Sequence, residues 1–161
     1  MKRMNKAKLT MKKHCSECQY IIFDFSKKQY LDIAMKLRMK VFVKEQHVPK
    51  KLEYDGDDAL ATHILLYHNE KPVATCRFRP TEEGIKLERF AVKKNKRDNG
   101  FGKTLLKIAL NETQSFQKTR YLYAQTVQFG FYEKMGFAAV GKPFLDAGIE
   151  HIKMIYRENH G

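Results

Sequence analysis

The sequence predicts an α/β fold in which one mixed, mostly antiparallel and twisted sheet of about six or seven strands carries helices on both faces. Short strand-like segments outnumber helical ones, and helices separate strands both early and late in the chain. A β–α–β step needs a helical crossover that covers one face of the sheet, whereas hairpins keep neighbouring strands antiparallel. At 161 residues the chain has the length of one domain.

The first half of the chain predicts one strand, a helical region and a hairpin. The strand covers residues 20–25, and Ser26 suits the N-cap of the helix behind it. Pro49 interrupts the helical region that follows, and the acidic residues 53–58 indicate a loop. Residues 63–78 form two strand-like runs around a polar turn, which is typical of a hairpin. The apolar face of the first helix would consist of Tyr30, Leu31, Ile33, Ala34, Leu37 and Val41.

The second half predicts strands that alternate with helices up to a final pair of strands. Gly136 suits the left-handed position that ends a helix. In chain order the predicted segments are a strand over 85–92, a helix over 103–117, a strand over 120–127, a short helix over 129–135, and strands over 137–144 and 151–156.

The composition is that of a folded globular protein. Hydrophobic residues make up 43% of the chain and aromatic residues 12%, which argues against disorder. No apolar stretch approaches the ~20 residues of a membrane-spanning helix, and the basic N-terminus lacks the apolar centre of a secretory signal. We therefore expect a cytoplasmic protein with no membrane partner.

The net charge of +13 is concentrated in two short segments. Residues 1–18 and residues 93–107 each carry six Lys or Arg and one acidic residue. The first segment predicts a flexible basic tail in front of a single domain over residues 19–161. The second is explained as well by a polyanionic small molecule as by a nucleic acid. Because the chain has no DNA- or RNA-binding motif, a nucleic-acid partner is not expected.

The three cysteines do not predict a metal or disulfide site. Cys15 and Cys18 form a CxxC pair, and Cys76 stands alone. A structural zinc site needs four ligands, and the chain has no second pair at a suitable spacing. A redox CxxC opens a helix behind a strand, whereas this pair precedes the first predicted strand. We expect free thiols and no metal.

The most informative segment is residues 97–102, Arg-Asp-Asn-Gly-Phe-Gly, which leads directly into a helix. Backbone N–H groups at a helix start lack intrahelical acceptors and lie at the positive end of the helix dipole. Glycines let the backbone approach a ligand closely, so the segment predicts a phosphate cradle. A Walker loop is excluded because the chain lacks Gly-x4-Gly-Lys-Ser/Thr. A dinucleotide fingerprint is excluded because Leu105 occupies the third glycine position.

Three features together resemble the GNAT superfamily of acetyl-CoA-dependent N-acetyltransferases, in particular its small stand-alone bacterial members. They are the Arg-x-x-Gly-x-Gly cradle, the strand that ends in Ala-Val at residues 91–92, and Phe-Tyr-Glu-Lys-Met-Gly-Phe over residues 131–137. The order of the elements agrees over residues 20–156. The resemblance implies acetyl-CoA as the co-substrate, no metal, and direct attack by a primary amine in a ternary complex.

The resemblance also implies a role for each part of the site. Tyr132 would protonate the departing thiolate, and a backbone N–H, that of Phe90, would stabilise the oxyanion that forms on the thioester carbonyl. Gln125 replaces an Asn common in the family and can make similar hydrogen bonds to pantetheine. Gln128 replaces a common Ala and either narrows the acyl site or points to solvent. Coenzyme A would be held by Phe90, Ala91, Val92, Arg97, Asp98, Asn99, Gly100, Phe101, Gly102, Lys103 and Gln125, with Lys93, Lys94 and Lys96 nearby.

The attacking amine needs a base, and Glu88 is the first candidate. It lies two residues before Phe90, which places both on the same face of an alternating strand. An ion pair with a nearby Lys or Arg is an equal alternative for Glu88. Weaker candidates for the base are Glu45 and Asp55. Structural hydrogen bonds are expected of His63 and His151.

The identity of the acceptor stays open in the sequence. The resemblance implies that residues 40–58 form the wall of the acceptor site. The acidic residues 53–58 at its end would attract a cationic amine to an otherwise basic chain, or form a solvated loop with no ligand. Small-molecule amines and peptide amines both remain candidates, and a homodimer is left open. Two other functions are also left open: a catalytically silent acyl-CoA-binding module of the same fold and, least favoured, a basic nucleic-acid-binding protein.

Overall fold

Eight strands form one mixed sheet in the computed structural model, which describes residues 11–158. The strands are β1 (Lys12–Lys13), β2 (Cys18–Asp24), β3 (Thr62–His68), β4 (Lys71–Thr81), β5 (Gly84–Val92), β6 (Arg120–Gln125), β7 (Phe137–Asp146) and β8 (Ile149–Tyr156). The α-helices are α1 (Lys28–Arg38), α2 (Lys50–Glu53), α3 (Phe101–Thr113) and α4 (Phe129–Lys134). Within the described residues, none of the helices has the length and apolarity needed to cross a bilayer.

The strand order is β1-β2-β3-β4-β5-β6-β8-β7, and every neighbouring pair is antiparallel except β5 and β6. This confirms the predicted mixed, mostly antiparallel sheet, with one or two strands more than expected. The additional strand is β1, which pairs with residues 19–20 of β2. The turn between them is closed by the N–H groups of His14 and Cys15, which donate to the Cys18 carbonyl at 2.9 and 3.2 Å. β1 therefore belongs to the sheet although it lies within the predicted tail of residues 1–18, and residues 1–10 of that tail lie outside the described part of the chain.

Helices cover both faces of the sheet, as predicted. On one face, α1 packs Leu31, Ala34 and Leu37 against the β2 side chains Ile21 and Phe23. On the other face, α3 and α4 cover a larger core. That core includes Ile64, Leu66, Ile85, Leu87, Leu105, Leu106, Leu122, Tyr132 and Met154. Because alternate residues of a strand point to opposite faces, β3 contributes Leu65 to one core and its two neighbours to the other.

The first helix differs from the prediction at both ends. Ser26 does not cap it, because the Ser26 N–H and hydroxyl both donate to Asp24 and α1 begins at Lys28 without a side-chain cap. At its other end α1 continues into a π-helical turn, Met39–Glu45, in which the Gln46 N–H donates to the Val41 carbonyl at 3.1 Å. The wider turn changes which side chains face the sheet beyond α1.

Two predicted turns are confirmed with their backbone conformations. The hairpin between β3 and β4 turns through Asn69 and Glu70, whose φ angles of 48° and 64° suit a two-residue type I′ turn. Gly136 follows α4 with φ 97°, which is the left-handed position expected there.

The parallel contact between β5 and β6 extends over only two registered pairs, Ile85 with Arg120 and Lys86 with Tyr121. Gly84 stands at the base of this contact with φ +135°, and a Cβ there would lie 2.1 Å from the Thr119 carbonyl oxygen. The same oxygen accepts the Ile85 N–H at 2.8 Å. Only glycine permits this approach, and beyond it the two strands separate.

We predict that Gly84→Ala destabilises the fold by at least about 2 kcal/mol, because it combines a clash with backbone strain. Urea unfolding measures the change. The matched control is Gly130→Ala in α4, where a Cβ meets nothing within 4 Å and φ is not in the left-handed region. Equal midpoints for the two variants would contradict the prediction.

Candidate active site

The separation of β5 and β6 opens a cleft of about 490 Å³. Its walls come from the π-helical turn, the second half of β5, the end of β6, the start of α3, and α4. The residues that line it include Gly100, Gly102 and Lys103 of the predicted cradle, and Lys86, Tyr123 and His151 of the sheet. β6 does not pair with β5 beyond Lys86, so that edge of β5 is open along the cleft.

A β-bulge reshapes β5 inside this cleft. Thr75 pairs with Ala91 and Arg77 pairs with Glu88, which leaves Arg89 and Phe90 opposite one residue of β4. Arg89 has φ 58°, a left-handed conformation that is uncommon for a side chain of this size. The bulge interrupts the two-residue alternation on which the shared face of Glu88 and Phe90 was predicted. Both residues nevertheless line the cleft.

The predicted cradle closes one end of the cleft. Asp98 and Gly100 have φ 64° and 78°, and Gly100 is the N-cap of α3. The Thr104 N–H donates to the Gly100 carbonyl at 3.0 Å, whereas the backbone N–H groups of residues 98–103 find no acceptor in the described chain. Arg97 connects the loop to two neighbouring segments, because its Nη2 lies 2.8 Å from Glu45 and its Nε donates to the Val92 carbonyl at 3.2 Å. The loop therefore presents unpaired donors at the positive end of a helix.

Tyr132 lies in the same cleft within an aromatic cage. Its ring meets those of Phe90, Phe131 and Phe137 edge-on, with centroid distances of 6.4, 5.1 and 5.9 Å. Burial raises the pKa of the Tyr132 phenol, which keeps the hydroxyl protonated. Within the described residues the hydroxyl has no hydrogen-bond partner, and the side chain lines the cleft. The phenol is therefore placed to donate to a group bound there.

Gln125 bridges the two walls of the cleft. Its Nε2 donates to Oε1 of Gln46, at the end of the π-helical turn, at 2.9 Å. Gln128 lines the cleft and is exposed, which favours the solvent-facing alternative over a narrowed acyl site. Gln46 and Phe42 both line the cleft and lie in the segment 40–58 that was expected to border the acceptor, although the π-helical turn that positions them leaves no recognisable spacing in a sequence.

Two buried arginines form ion pairs with acidic residues of the segment 53–58. Arg38 places Nε 2.5 Å from Glu53 and Nη1 2.7 Å from Asp58. Arg77 is fully buried, and its guanidinium lies 2.6 Å from Asp55 and 2.7 Å from Asp58. Burial alone would raise the pKa of Asp55, but the hydrogen bonds from Arg77 and the Asp57 N–H lower it to about 2.

Glu88 forms ion pairs, which is one of the two roles that the sequence left open for it. Its Oε1 lies 2.9 Å from Arg77 and 2.5 Å from Arg79, and its Oε2 lies 3.3 Å from Lys86. Burial opposes ionisation of Glu88, but these three cations outweigh burial and lower its pKa. A carboxylate held in this way accepts a proton poorly at neutral pH, so the geometry gives no support to Glu88 as the base.

The acidic loop is neutralised in the same way. The Nη2 atom of Arg89 lies 3.0 Å from Oδ2 of Asp55. Its Nε atom lies 3.0 Å from Oε2 of Glu53, but the angle there does not suit a hydrogen bond. Asp57 lies 3.4 Å from Arg79. The hypothesis that these carboxylates attract a cationic amine loses its basis, because each already faces an arginine.

The remaining candidates have structural contacts. Glu45 pairs with Arg97, His63 is buried with Nε2 3.1 Å from the Asp58 carbonyl, and His151 contacts the Ile149 carbonyl through Nδ1. Among the residues described, no group of His, Cys, Asp or Glu could hold a metal ion. Cys15 is exposed, whereas Cys18 and Cys76 are buried, and all three are free thiols.

The comparison with protein families decides the assignment. The sequence profile of the acetyltransferase (GNAT) domain matches residues 22–158. This chain belongs to the GNAT acetyltransferase family. The GNAT assignment confirms the resemblance that the cradle and the residue 131–137 motif predicted.

Individual relatives agree with this GNAT assignment. The chain is 38% identical over 129 residues to an uncharacterised N-acetyltransferase of Bacillus subtilis, YjcF, a match that covers 79% of this chain and 92% of YjcF. The fold of the present chain is similar to that of an acyl-CoA N-acyltransferase from Pseudomonas aeruginosa, with a TM-score of 0.80 and 26% sequence identity. The match covers 87% of this chain and 99% of the Pseudomonas protein. Escherichia coli ElaA gives a TM-score of 0.79 with 28% identity and the same coverage.

We predict that Arg77→Met destabilises this GNAT domain by about 3–5 kcal/mol at pH 7, because it removes one cation from a buried cluster and leaves an excess negative charge on carboxylates that keep only their other cationic partners. The carboxylates of Asp55, Asp58 and Glu88 have lowered pKa values, so they contribute stability above their unfolded pKa values and lose it as pH falls through the folded ones. The wild-type free energy of unfolding should therefore fall from about pH 5 toward pH 2, and that of the variant should fall less steeply.

Urea unfolding over this pH range tests both statements. Lys153→Met is the matched control, because it breaks a more exposed pair with Glu83 and should cost under about 1 kcal/mol. Similar costs for the two variants would show that burial of the Arg77 pairs is energetically unimportant.

Proposed function

We propose that this chain transfers an acetyl group from acetyl-CoA to a primary amine by direct attack in a ternary complex. The observation that carries the proposal is the pair of sites at one cleft: unpaired N–H donors at residues 98–103, and the buried Tyr132 hydroxyl. The first suits a pyrophosphate, and the second suits a leaving group that needs a proton. Membership of the GNAT family supports both assignments.

The donor would lie between the cradle and the open edge of β5. The backbone of residues 97–103 would hold the pyrophosphate, and Lys96 and Lys103 on the cleft wall would add positive charge. The edge of Phe90, Ala91 and Val92 has no strand partner toward β6, so it can bond the pantetheine arm. Gln125 would contribute an amide hydrogen bond from the opposite wall. Bound acetyl-CoA would supply an activated thioester carbonyl.

Two groups of this chain would act on the reacting atoms. The Phe90 N–H, in the bulged part of β5, would donate to the thioester oxygen. Tyr132 would donate its proton to the sulfur as the acetyl group leaves. Its raised pKa keeps the phenol neutral until that moment. No cysteine among the described residues lines the cleft, which supports direct attack over an acyl-enzyme.

The acceptor would enter from the other end of the cleft, between the π-helical turn and β8. Lys86 and Tyr123 line the cleft together, and the Lys86 Nζ lies 4.1 Å from the centre of the Tyr123 ring. The arginine-paired carboxylates add no net negative charge to this entrance, so both small-molecule amines and peptide amines are acceptor candidates.

We predict that Tyr132→Phe lowers kcat about 100-fold or more while the Kd for coenzyme A stays within about twofold, because only proton donation is removed. Coenzyme A release with a thiol reagent measures kcat over a panel of amines, and calorimetry measures Kd. Tyr30→Phe on α1, on the opposite face of the sheet, is the control. Binding of acetyl-CoA with no transfer by the wild type would identify a silent binding module instead.

We predict that Gly102→Ala weakens coenzyme A binding about tenfold or more while leaving stability near wild type. A Cβ at this position would lie 3.8 Å from Val92 and 3.9 Å from Phe131, which is ordinary contact in the free protein. It would occupy space that a pyrophosphate needs to reach the N–H groups. Gly130→Ala is the control, and calorimetric Kd values that match among wild type and both variants would contradict the cradle.

A further inference from the structure

His151 lies on β8 and lines the cleft. In the sheet it is the direct partner of Gln125 on β6 and of Phe144 on β7. Direct partners in an antiparallel pair place their side chains on the same face. Gln125 crosses the cleft to Gln46 on that face, so the imidazole lies beside the bridge and lines the cleft.

Among the described residues the imidazole has one hydrogen-bond partner, and that partner determines which ring nitrogen carries the hydrogen. Nδ1 lies 2.7 Å from the Ile149 carbonyl oxygen, which can only accept. Nδ1 therefore carries the hydrogen, and in the neutral ring Nε2 keeps a free lone pair. The ring of Phe144 stacks on the imidazole at 6.0 Å and 23°, which holds its plane. The chain thus fixes a basic nitrogen on the wall of the cleft.

Four other titratable groups on this wall are less suited to accept a proton, and a fifth, the Asp146 carboxylate, is compared with His151 in the experiment below. Glu88 is held by three cations that lower its pKa. Tyr132 has a raised pKa and serves as a donor. Lys86 and Arg89 are cations engaged with carboxylates.

We propose that His151 is the catalytic base that takes the proton from the attacking amine. This inference rests on the acetyl transfer proposed above. As the amine nitrogen bonds to the acetyl carbon, its proton passes to Nε2, and the electron pair of the C–S bond leaves with the sulfur, which takes the Tyr132 proton. Return of the His151 proton to the tyrosine oxygen through water restores both side chains. The Nδ1 hydrogen bond orients the ring throughout.

His151→Asn is the decisive variant, because the Asn Nδ2 can still donate to the Ile149 carbonyl while the basic nitrogen is lost. The acceptor probes are benzylamine, spermidine, glucosamine and a peptide with a free N-terminus. With the most active of these amines we expect kcat to fall about 100-fold or more, while the Kd for coenzyme A and the thermal midpoint stay near wild type. His151→Ala should lose kcat equally, and free imidazole should restore part of it.

Tyr132→Phe is the matched control for rescue, since it should also lose kcat but gain nothing from imidazole. Transfer by His151→Asn at the wild-type rate would overturn the base assignment and leave the acetyl transfer intact. Asp146 also lies on the cleft wall. If Asp146→Asn loses acetyl transfer while His151→Asn keeps it, the base is the Asp146 carboxylate and not His151. Absence of transfer by the wild type to all four amines would overturn both proposals.

Discussion

The site depends on the short parallel contact between β5 and β6. Their pairing is held where Thr119 approaches Gly84, and it ends after Lys86. A longer parallel ladder would close the cleft and use the backbone edge of β5. Because the strands part, α3 starts beside an open edge, and the cradle faces the same space as Tyr132. The sheet topology therefore sets the distance between the N–H donors of the cradle and the Tyr132 hydroxyl.

Charge compensation is the second constraint. The chain is basic overall, yet buried carboxylates on α2, the loop behind it and β5 meet four arginines. This clustering fixes the acidic loop against the sheet and leaves Glu88 with little basicity. In the described part of the chain, unpaired groups on the cleft include the N–H donors of the cradle, the Tyr132 hydroxyl and Nε2 of His151. Those groups are the ones available to ligands.

Local chemistry explains which features the sequence predicted. Glycines at 100 and 136 and the turn at Asn69 have backbone requirements that few other residues meet, so their positions were predictable. The bulge at Arg89 was not, because it depends on register with β4. The pairs of Arg77 join residues 11 to 22 positions apart in the chain, and no spacing rule brings them together. β1 escaped prediction because two lysines have no strand preference.

The most direct test of the central claim is amide hydrogen exchange measured residue by residue with and without coenzyme A. If the cleft between β5 and β6 holds the donor, exchange should slow at residues 98–103 and at the open edge around Phe90. Exchange in the hairpin of β1 and β2 should stay unchanged. If saturating coenzyme A leaves the exchange at residues 98–103 and at Phe90 unchanged, the cleft between β5 and β6 is not the donor site.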